Sequence, residues 1–404
     1  MGLVLSVQFQ NATLARYPQA VTEIAVLALA HGIFGFFMAG LQFMSQLANV
    51  FARSQPALIR VQIFVIAVGL ILSLPILGLA LTSTGHQLIQ TAYGVDASLA
   101  WRVADYLLLM TPLLLFTAER HFFMGLLVQA RLTGTVTILN LIYLTLVLAA
   151  LITGFYLGLQ PMYVIVGAEV IGVSSLVLLL GAAIRIRYRL PSLEEHQGVT
   201  YHELLRFFLP VSTTGVMFAL SRPIIFAFAT RATDSLLIVA ALRVAFDFTM
   251  LFQQAANQFR HFFITFGVDD LATKRQFMTI IAVALTLLAA TFALSPLSTL
   301  VWGQLMGLSA QLQELANQCV LILSLTPLVL VFRNYYHSQL MLLRRTTGMA
   351  WGSFLRVIVI AATCAVLFTT GTLTHTSAAA CLLLGFVIEA LYAVFAHRNA
   401  VRLV

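Results

Sequence analysis

The sequence predicts an all-α polytopic membrane protein, from its composition, the recurrence of long apolar runs and the placement of its charges. Of 404 residues, 61% are hydrophobic and 9% charged, and the mean hydropathy is +0.98. Soluble domains carry about 25% charged residues, so no soluble core accounts for this surface. A transmembrane β-barrel is excluded as well, because it needs short alternating strands and not uniformly apolar runs.

Crossing about 30 Å of hydrocarbon takes roughly 20 apolar residues. Runs of that length are predicted at 22–47, 58–81, 104–129, 135–157, 162–184, 204–229, 236–258, 277–302, 316–342, 350–371 and 377–397, after a short apolar piece, Met1 to Phe9. The opening "MGLVLS" matches a myristoylation pattern, but it reads more simply as part of a hydrophobic helix. It lacks the charged start and cleavage site of a signal peptide.

The first spans carry few polar groups. His31, beside Gly32 and Gly35, reads as a helix-packing residue. The span at 104–129 holds Glu119, Arg120 and His121, either as an interhelical ion pair or as part of a cleft. Glu169, in the span at 162–184, has no evident partner; a lone buried carboxylate tends to stay protonated, which makes it a candidate proton carrier.

The span at 204–229 contains "FALSRPIIFAFATR", Phe218 to Arg231. An unpaired charge near the bilayer centre costs about 2.5 to 3.5 kcal/mol on insertion scales, so Arg222 must be paired or face water. Pro223 removes a backbone donor beside it and predicts a kink, with Ser221 at hand to re-satisfy the backbone. In the next span Arg243 and Asp247 stand four apart on one helix face, as a neutralising pair or a gate. The amides that follow, Gln253, Gln254, Asn257 and Gln258, predict a face bordering water.

In "LVFRNYYHSQL", Arg333, Tyr336, His337 and Leu340 recur at i, i+3, i+4 and i+7, a face polar in its first three members. Arg356 and Glu389 lie one span apart and predict a bridge. Cys319, Cys364 and Cys381 sit singly in three late spans, without metal or disulfide spacing.

The net charge of +8 is explained by topology. With the loop of Arg185, Arg187 and Arg189 placed inside and sides alternating, fourteen Lys and Arg fall inside (53, 60, 131, 185, 187, 189, 206, 260, 274, 275, 344, 345, 398 and 402) and three outside (16, 102 and 231). That bias is the positive-inside signature of a cell or inner membrane and gives no ground for a nucleic-acid partner. Five arginines remain of the 22 basic residues, since 22 − 14 − 3 = 5: Arg120, Arg222, Arg243, Arg333 and Arg356, all inside spans.

An internal repeat organises the chain. "LMTPLLLF" from Leu109 answers "SLTPLVLV" from Ser324, at a separation of 215. "QARLTG" from Gln129 answers "LRRTTG" from Leu343, and "LITG" ending at Gly154 answers "FTTG" ending at Gly371. A duplicated six-span unit predicts two pseudo-symmetric bundles, 1–190 and 204–404, joined by a cytoplasmic linker at 191–203. Because the second copy opens near Leu204, the first should open at about residue −11 (204 − 215), so its first helix is expected to be truncated or the true start to lie upstream of Met1.

Buried charges total +2 in the second half (Arg222, Arg243, Arg333 and Arg356 against Asp247 and Glu389) and −1 in the first (Arg120 against Glu119 and Glu169). The excess predicts an anion-binding cleft, since guanidinium forks suit phosphate and carboxylate. No Gly-rich phosphate loop, metalloprotease motif or nucleophile elbow suggests an enzyme, and no metal or other cofactor is expected.

The second half resembles the progressive ankylosis family of the multidrug/oligosaccharidyl-lipid/polysaccharide (MOP) exporter superfamily. The resemblance rests on "LSRPIIFAFATR", on Arg333 followed by "LRRT" at Leu343 to Thr346, on "LRVIVI" at Leu355 to Ile360 and on "LLGFVIE" at Leu383 to Glu389, and extends more weakly back to about Gln10. It implies a MATE-like architecture of two six-helix lobes about a cleft, and export of anions such as pyrophosphate, ATP or citrate by alternating access. It gives Arg222, Arg333, Arg356 and Glu389 candidate roles. The segment "NYYHSQ" after Arg333 and the shorter loops depart from the family pattern.

The resulting expectation is a transporter of a small anionic solute in contact with membrane lipid. Arg222, Arg333, Arg356, Arg243, Arg120, Tyr336 and His337 would contact substrate, with Asp247, Glu389, Glu119 and Glu169 in coupling or gating, driven by a proton or sodium. The alternatives are a lipid-linked saccharide flippase, an ion-coupled multidrug exporter, and a non-transporting scaffold whose buried charges are all statically paired.

Overall fold

A computed structural model describes residues 2–189, 199–262, 267, 269–343 and 347–402. Among these residues all regular structure is helical. Ten helices are long and apolar enough to cross a membrane, and Gly215–Ala229 adds a shorter apolar helix. This is a multi-pass membrane protein. Mid-helix residues such as Leu74 and Leu178 remain 65% and 74% exposed, as expected of side chains whose solvent is lipid.

The chain forms two compact units, divided inside α2 between Ala28 and Leu29 and again at the break between Ala219 and Leu220. One unit comprises Leu29–Ala219. It contains most of α2 (Ala20–Leu41), then α3 (Met44–Phe51), α4 (Gln55–Leu81), α5 (Ser83–Tyr93), α6 (Ala97–Met110), α7 (Pro112–Gln129), α8 (Thr133–Tyr156), α9 (Pro161–Arg187) and α10 (Tyr201–Ala219). Local signals set many of these ends. Ser54 caps α4 and accepts from the Ala57 N–H at 3.4 Å, Asp96 caps α6 and accepts from Leu99 N–H at 2.7 Å, and Gly94 closes α5 at φ +62°. At the arginine-rich end Gln129 donates to the Asn49 carbonyl at 2.9 Å and accepts from the Tyr188 hydroxyl at 2.5 Å, which ties α3, α7 and the end of α9 together.

The other unit comprises Leu3–Ala28 with Leu220–Val404. Its helices are α1 (Gly2–Leu14), the start of α2, α11 (Ser221–Ala229), α12 (Ser235–Asn257), α13 (Leu271–Leu294), α14 (Ala310–Leu323), α15 (Thr326–Leu342), α16 (Thr347–Thr369) and α17 (His375–Arg402). From Ile238 to Thr249, α12 is buried on every face, so it is the central helix of this unit and α14, α15 and α17 pack around it. The span expected at 277–302 ends early: the chain leaves α13 at Leu294, passes Pro296 and makes a π-helical turn at Thr299–Leu305. Arg16 caps that turn, donating to the Leu305 and Met306 carbonyls at 2.5 and 3.2 Å.

The repeat reappears as matching breaks. Thr111-Pro112 separates α6 from α7, and Thr326-Pro327 opens α15 after α14; proline is tolerated in a first turn because its missing N–H has no partner there. One landmark moves. The counterpart of Gly371, at φ +70°, is Gly158 at φ +68°, at a separation of 213. Gly154 instead packs under Val164, which an added Cβ would meet at 3.0 Å.

Candidate functional site

Two ionic clusters lie in the unit built on α12. The first gathers around Asp247. Its Oδ1 accepts from Arg222 Nη1 at 2.8 Å and its Oδ2 accepts from Asn11 Nδ2 at 3.2 Å. Arg243 Nε lies 3.6 Å from Oδ2 and donates to Asn11 Oδ1 at 2.9 Å. Asn11, in α1, therefore bridges a pair that spacing alone predicted to be direct. Arg222 also donates to the Phe246 carbonyl at 2.9 Å and stands over the Phe246 ring at 5.4 Å. Two guanidiniums and one carboxylate leave this cluster with a formal charge of +1.

The backbone explains how Arg222 reaches α12. The helix breaks at Leu220, between α10 and α11, in the turn that precedes Pro223. Pro223 then falls in the first turn of α11, where no intrahelical N–H is required. Ser221, the first residue of α11, is buried with its hydroxyl unpartnered. α10 runs unbroken through Pro210.

The second cluster gathers around Glu389. Its Oε2 accepts from Arg333 at 2.9 Å and from Arg356 at 2.6 Å, and its Oε1 accepts from the Ser353 hydroxyl at 2.8 Å. Arg333 also donates to Asn257 and Asn334 at 3.0 and 3.1 Å, and Asn334 donates to the Ala256 carbonyl at 2.9 Å. The predicted Arg356–Glu389 bridge is thus joined by a second arginine, again with a formal charge of +1.

Exposure separates the two clusters. The side chains of Arg333 and Arg356 are 0% exposed, Glu389 1% and Arg243 4%, whereas Arg222 is 31% exposed. The expectation that these arginines are kept wet is corrected for Arg333, Arg356 and Arg243, whose charges are met by carboxylate and amide groups. The amide run is corrected too. Gln253 is buried and lies within 3.4 Å of Thr249, and Asn257 turns inward to Arg333, so only Gln258 of these is plainly exposed. His337 is buried on α15 beside the Glu389 cluster. Tyr336 leaves the cluster and joins Phe332, Tyr335 and His397 in an aromatic group.

In the Leu29–Ala219 unit, Glu119 and Arg120 do not pair. Glu119 Oε2 accepts from Gln62 Nε2 at 3.5 Å, and Glu119 Oε1 is buried without a hydrogen-bond partner. Arg120 is buried, donates to His121 Nε2 at 3.3 Å and has no partner at Nε. Glu169, expected to stand alone, interacts electrostatically with Arg120. Among the described residues, no three His, Cys, Asp or Glu gather as a metal site. Asn11 was beyond sequence reasoning, since an asparagine in a short N-terminal piece carries no charge signal.

No family model matches this chain, and no curated protein matches it in sequence. Solved structures match along almost its whole length. An inward-facing multidrug resistance MATE family transporter of the MOP superfamily aligns with a TM-score of 0.82 at 11% identity, covering 100% of this chain and 95% of its own. The lipid II flippase MurJ, in an inward closed conformation, aligns at 0.70 and 14% identity, covering 97% and 85%. A MOP superfamily transporter from Pyrococcus furiosus, described as having a binding pocket of reverse polarity that suggests a different function, aligns at 0.52 and 12% identity, covering 98% and 94%. At these identities the likeness shows a shared MATE/MOP fold.

Proposed function

We propose that this chain is a secondary transporter that exports a small anionic metabolite of the phosphate or carboxylate class by alternating access. The observation that carries the reading is Arg222. It is held inside a span by one carboxylate oxygen and one backbone carbonyl, yet is 31% exposed, in a cluster with a formal charge of +1. A guanidinium so held can exchange Asp247 for an anionic oxygen of substrate without leaving a bare charge in lipid. Asp247 then acts as the gate, because substrate and carboxylate compete for one arginine and occupancy biases the two states. Arg120 offers a second cation in the other unit, where Glu119 and Glu169 are the groups to carry a coupling proton or sodium. Arg333, Arg356 and Glu389 serve as an internal brace.

The MOP fold supports transport, and the resemblance to the progressive ankylosis family supports an anion. Uptake into inside-out vesicles of inner membrane tests the reading, with inorganic pyrophosphate and citrate as probes. Arg222→Ala should abolish uptake, and uptake at the wild-type rate in that variant would end the proposal.

The likeness to a lipid II flippase favours a second reading, in which the anionic group is carried on a lipid-linked saccharide. In that case, substrate retained by purified protein would extract into organic solvent. A multidrug exporter of cations would instead depend on Glu119, whose free oxygen is the acidic counterpart of the Arg222 arrangement.

A further inference from the structure

We propose that Cys364 and Cys381 form an oxidisable dithiol that closes to a disulfide between α16 and α17, a modification site independent of the transport reading. The register of this antiparallel hairpin repeats every turn. A Cβ on Gly348 would meet Ala396 at 2.8 Å, and one on Gly352 would meet Tyr392 at 3.4 Å. Arg356 bonds Glu389 at 2.6 Å, and a Cβ on Gly385 would meet Ile360 at 2.7 Å. The last two rungs pair positions whose numbers sum to 745 (356 + 389 and 360 + 385). One turn further along both helices, that register sets 364 opposite 381.

The two thiols face each other there, close enough to interact. Glycine at three of these four rungs, Gly348, Gly352 and Gly385, lets the two backbones approach closely, which a disulfide requires, since its Cα atoms lie about 4.4 to 6.8 Å apart. Cys319 is engaged elsewhere, with its thiol 3.4 Å from the His375 carbonyl. With no third ligand gathered among the described residues, the site is a thiol pair and not a metal centre.

Both sulfurs are sealed from water, at 0% and 1% exposure. Both helices are membrane spans, so an oxidant that reaches the pair when they part arrives from the bilayer, which points to an apolar hydroperoxide. One thiol sulfur attacks the terminal oxygen of the O–O bond and becomes a sulfenic acid, while the departing alkoxide takes the thiol proton and leaves as an alcohol. The second thiol attacks that sulfur, forms the S–S bond and expels water. Two thiols and one hydroperoxide give one disulfide, one alcohol and one water.

The test treats the full-length protein in lipid nanodiscs with cumene hydroperoxide, denatures it in acid and counts free thiols by maleimide labelling and intact mass. Labelled thiols should fall from three to one, with the remaining label on Cys319 and the peptides of Cys364 and Cys381 linked until dithiothreitol is added. Cys319→Ser should fall from two to none, and Cys381→Ser should yield no linked peptide. Three labelled thiols after treatment, a link through Cys319, or sulfinic acid on Cys364 without a link would overturn the proposal.

Discussion

Asn11 settles how charge is shared around Asp247. Its amide has one donor and one acceptor face, and it spends the donor on Asp247 and the acceptor on Arg243. Arg243 Nε is thereby engaged, and the other carboxylate oxygen accepts from Arg222. Asn11→Asp would take the formal charge of the cluster from +1 to 0. We expect that variant to lose pyrophosphate uptake while Asn11→Gln keeps part of it, measured in inside-out vesicles. The two acid–arginine clusters should also differ in stability. Glu389→Gln leaves two sealed guanidiniums without a carboxylate, and breaking a buried ionic group in this way costs about 3–5 kcal/mol. Arg222→Ala, at a partly exposed position, should cost about 1 kcal/mol or less. Thermal unfolding of both variants checks the contrast. Spacing revealed the Arg243–Asp247 and Arg356–Glu389 relations, because helical periodicity fixes which residues share a face and the repeat fixes which helices are neighbours. It could not reveal which arginine stays accessible, since burial is set by residues distant in sequence.

Element ends and crossings were legible where a residue type forces the backbone. Thr200 and Glu203 form a capping box at the start of α10: Glu203 accepts from the Thr200 N–H at 2.8 Å, and the Glu203 N–H donates to the Thr200 hydroxyl at 3.3 Å. The Thr200 bonds hold the Glu203 carboxyl below the usual carboxylate range. A depressed folded value means that this contribution is present above the unfolded pKa and is lost as pH falls through the folded one. Amide protection at the first turn of α10, corrected for the intrinsic exchange rate at each pH, should therefore fall on acidification through the carboxylate range in the wild type and be already low in Glu203→Gln. The crossing of α8 and α9 depends on Gly172, where a Cβ would overlap Val147 and meet Tyr143 at 3.0 Å. Gly172→Ala should cost about 1–3 kcal/mol by overpacking, read as a lowered melting temperature. The break in the span at 204–229 was legible from Pro223, which crowds the carbonyl four residues back, at Ala219, where α10 ends. The span at 277–302 was drawn too long because hydropathy does not register a π-helical turn.

At the scale of the molecule, the arginine distribution predicts sidedness. In a cysteine-free background, Leu157→Cys should label from the arginine-poor side and Ile186→Cys from the arginine-rich side, both positions being well exposed at 69% and 80%. Labelling of both from one side would show that α9 does not cross the membrane, and exchange of the two sides would reverse the topology.

What the sequence determined by itself was the membrane solvent, the helical class, the spans and the duplication, because apolar run length and repeated Thr-Pro breaks are local, one-dimensional signals. Only the tertiary structure decided that α1 belongs with the second half, that α12 is a buried central helix, and that Arg333 and Arg356 share one acid while Arg222 stays accessible. Those outcomes depend on which side chains of distant helices reach one another. In a chain where nearly every surface is apolar, hydrophobicity no longer distinguishes inside from outside, and the few polar contacts between helices make that decision.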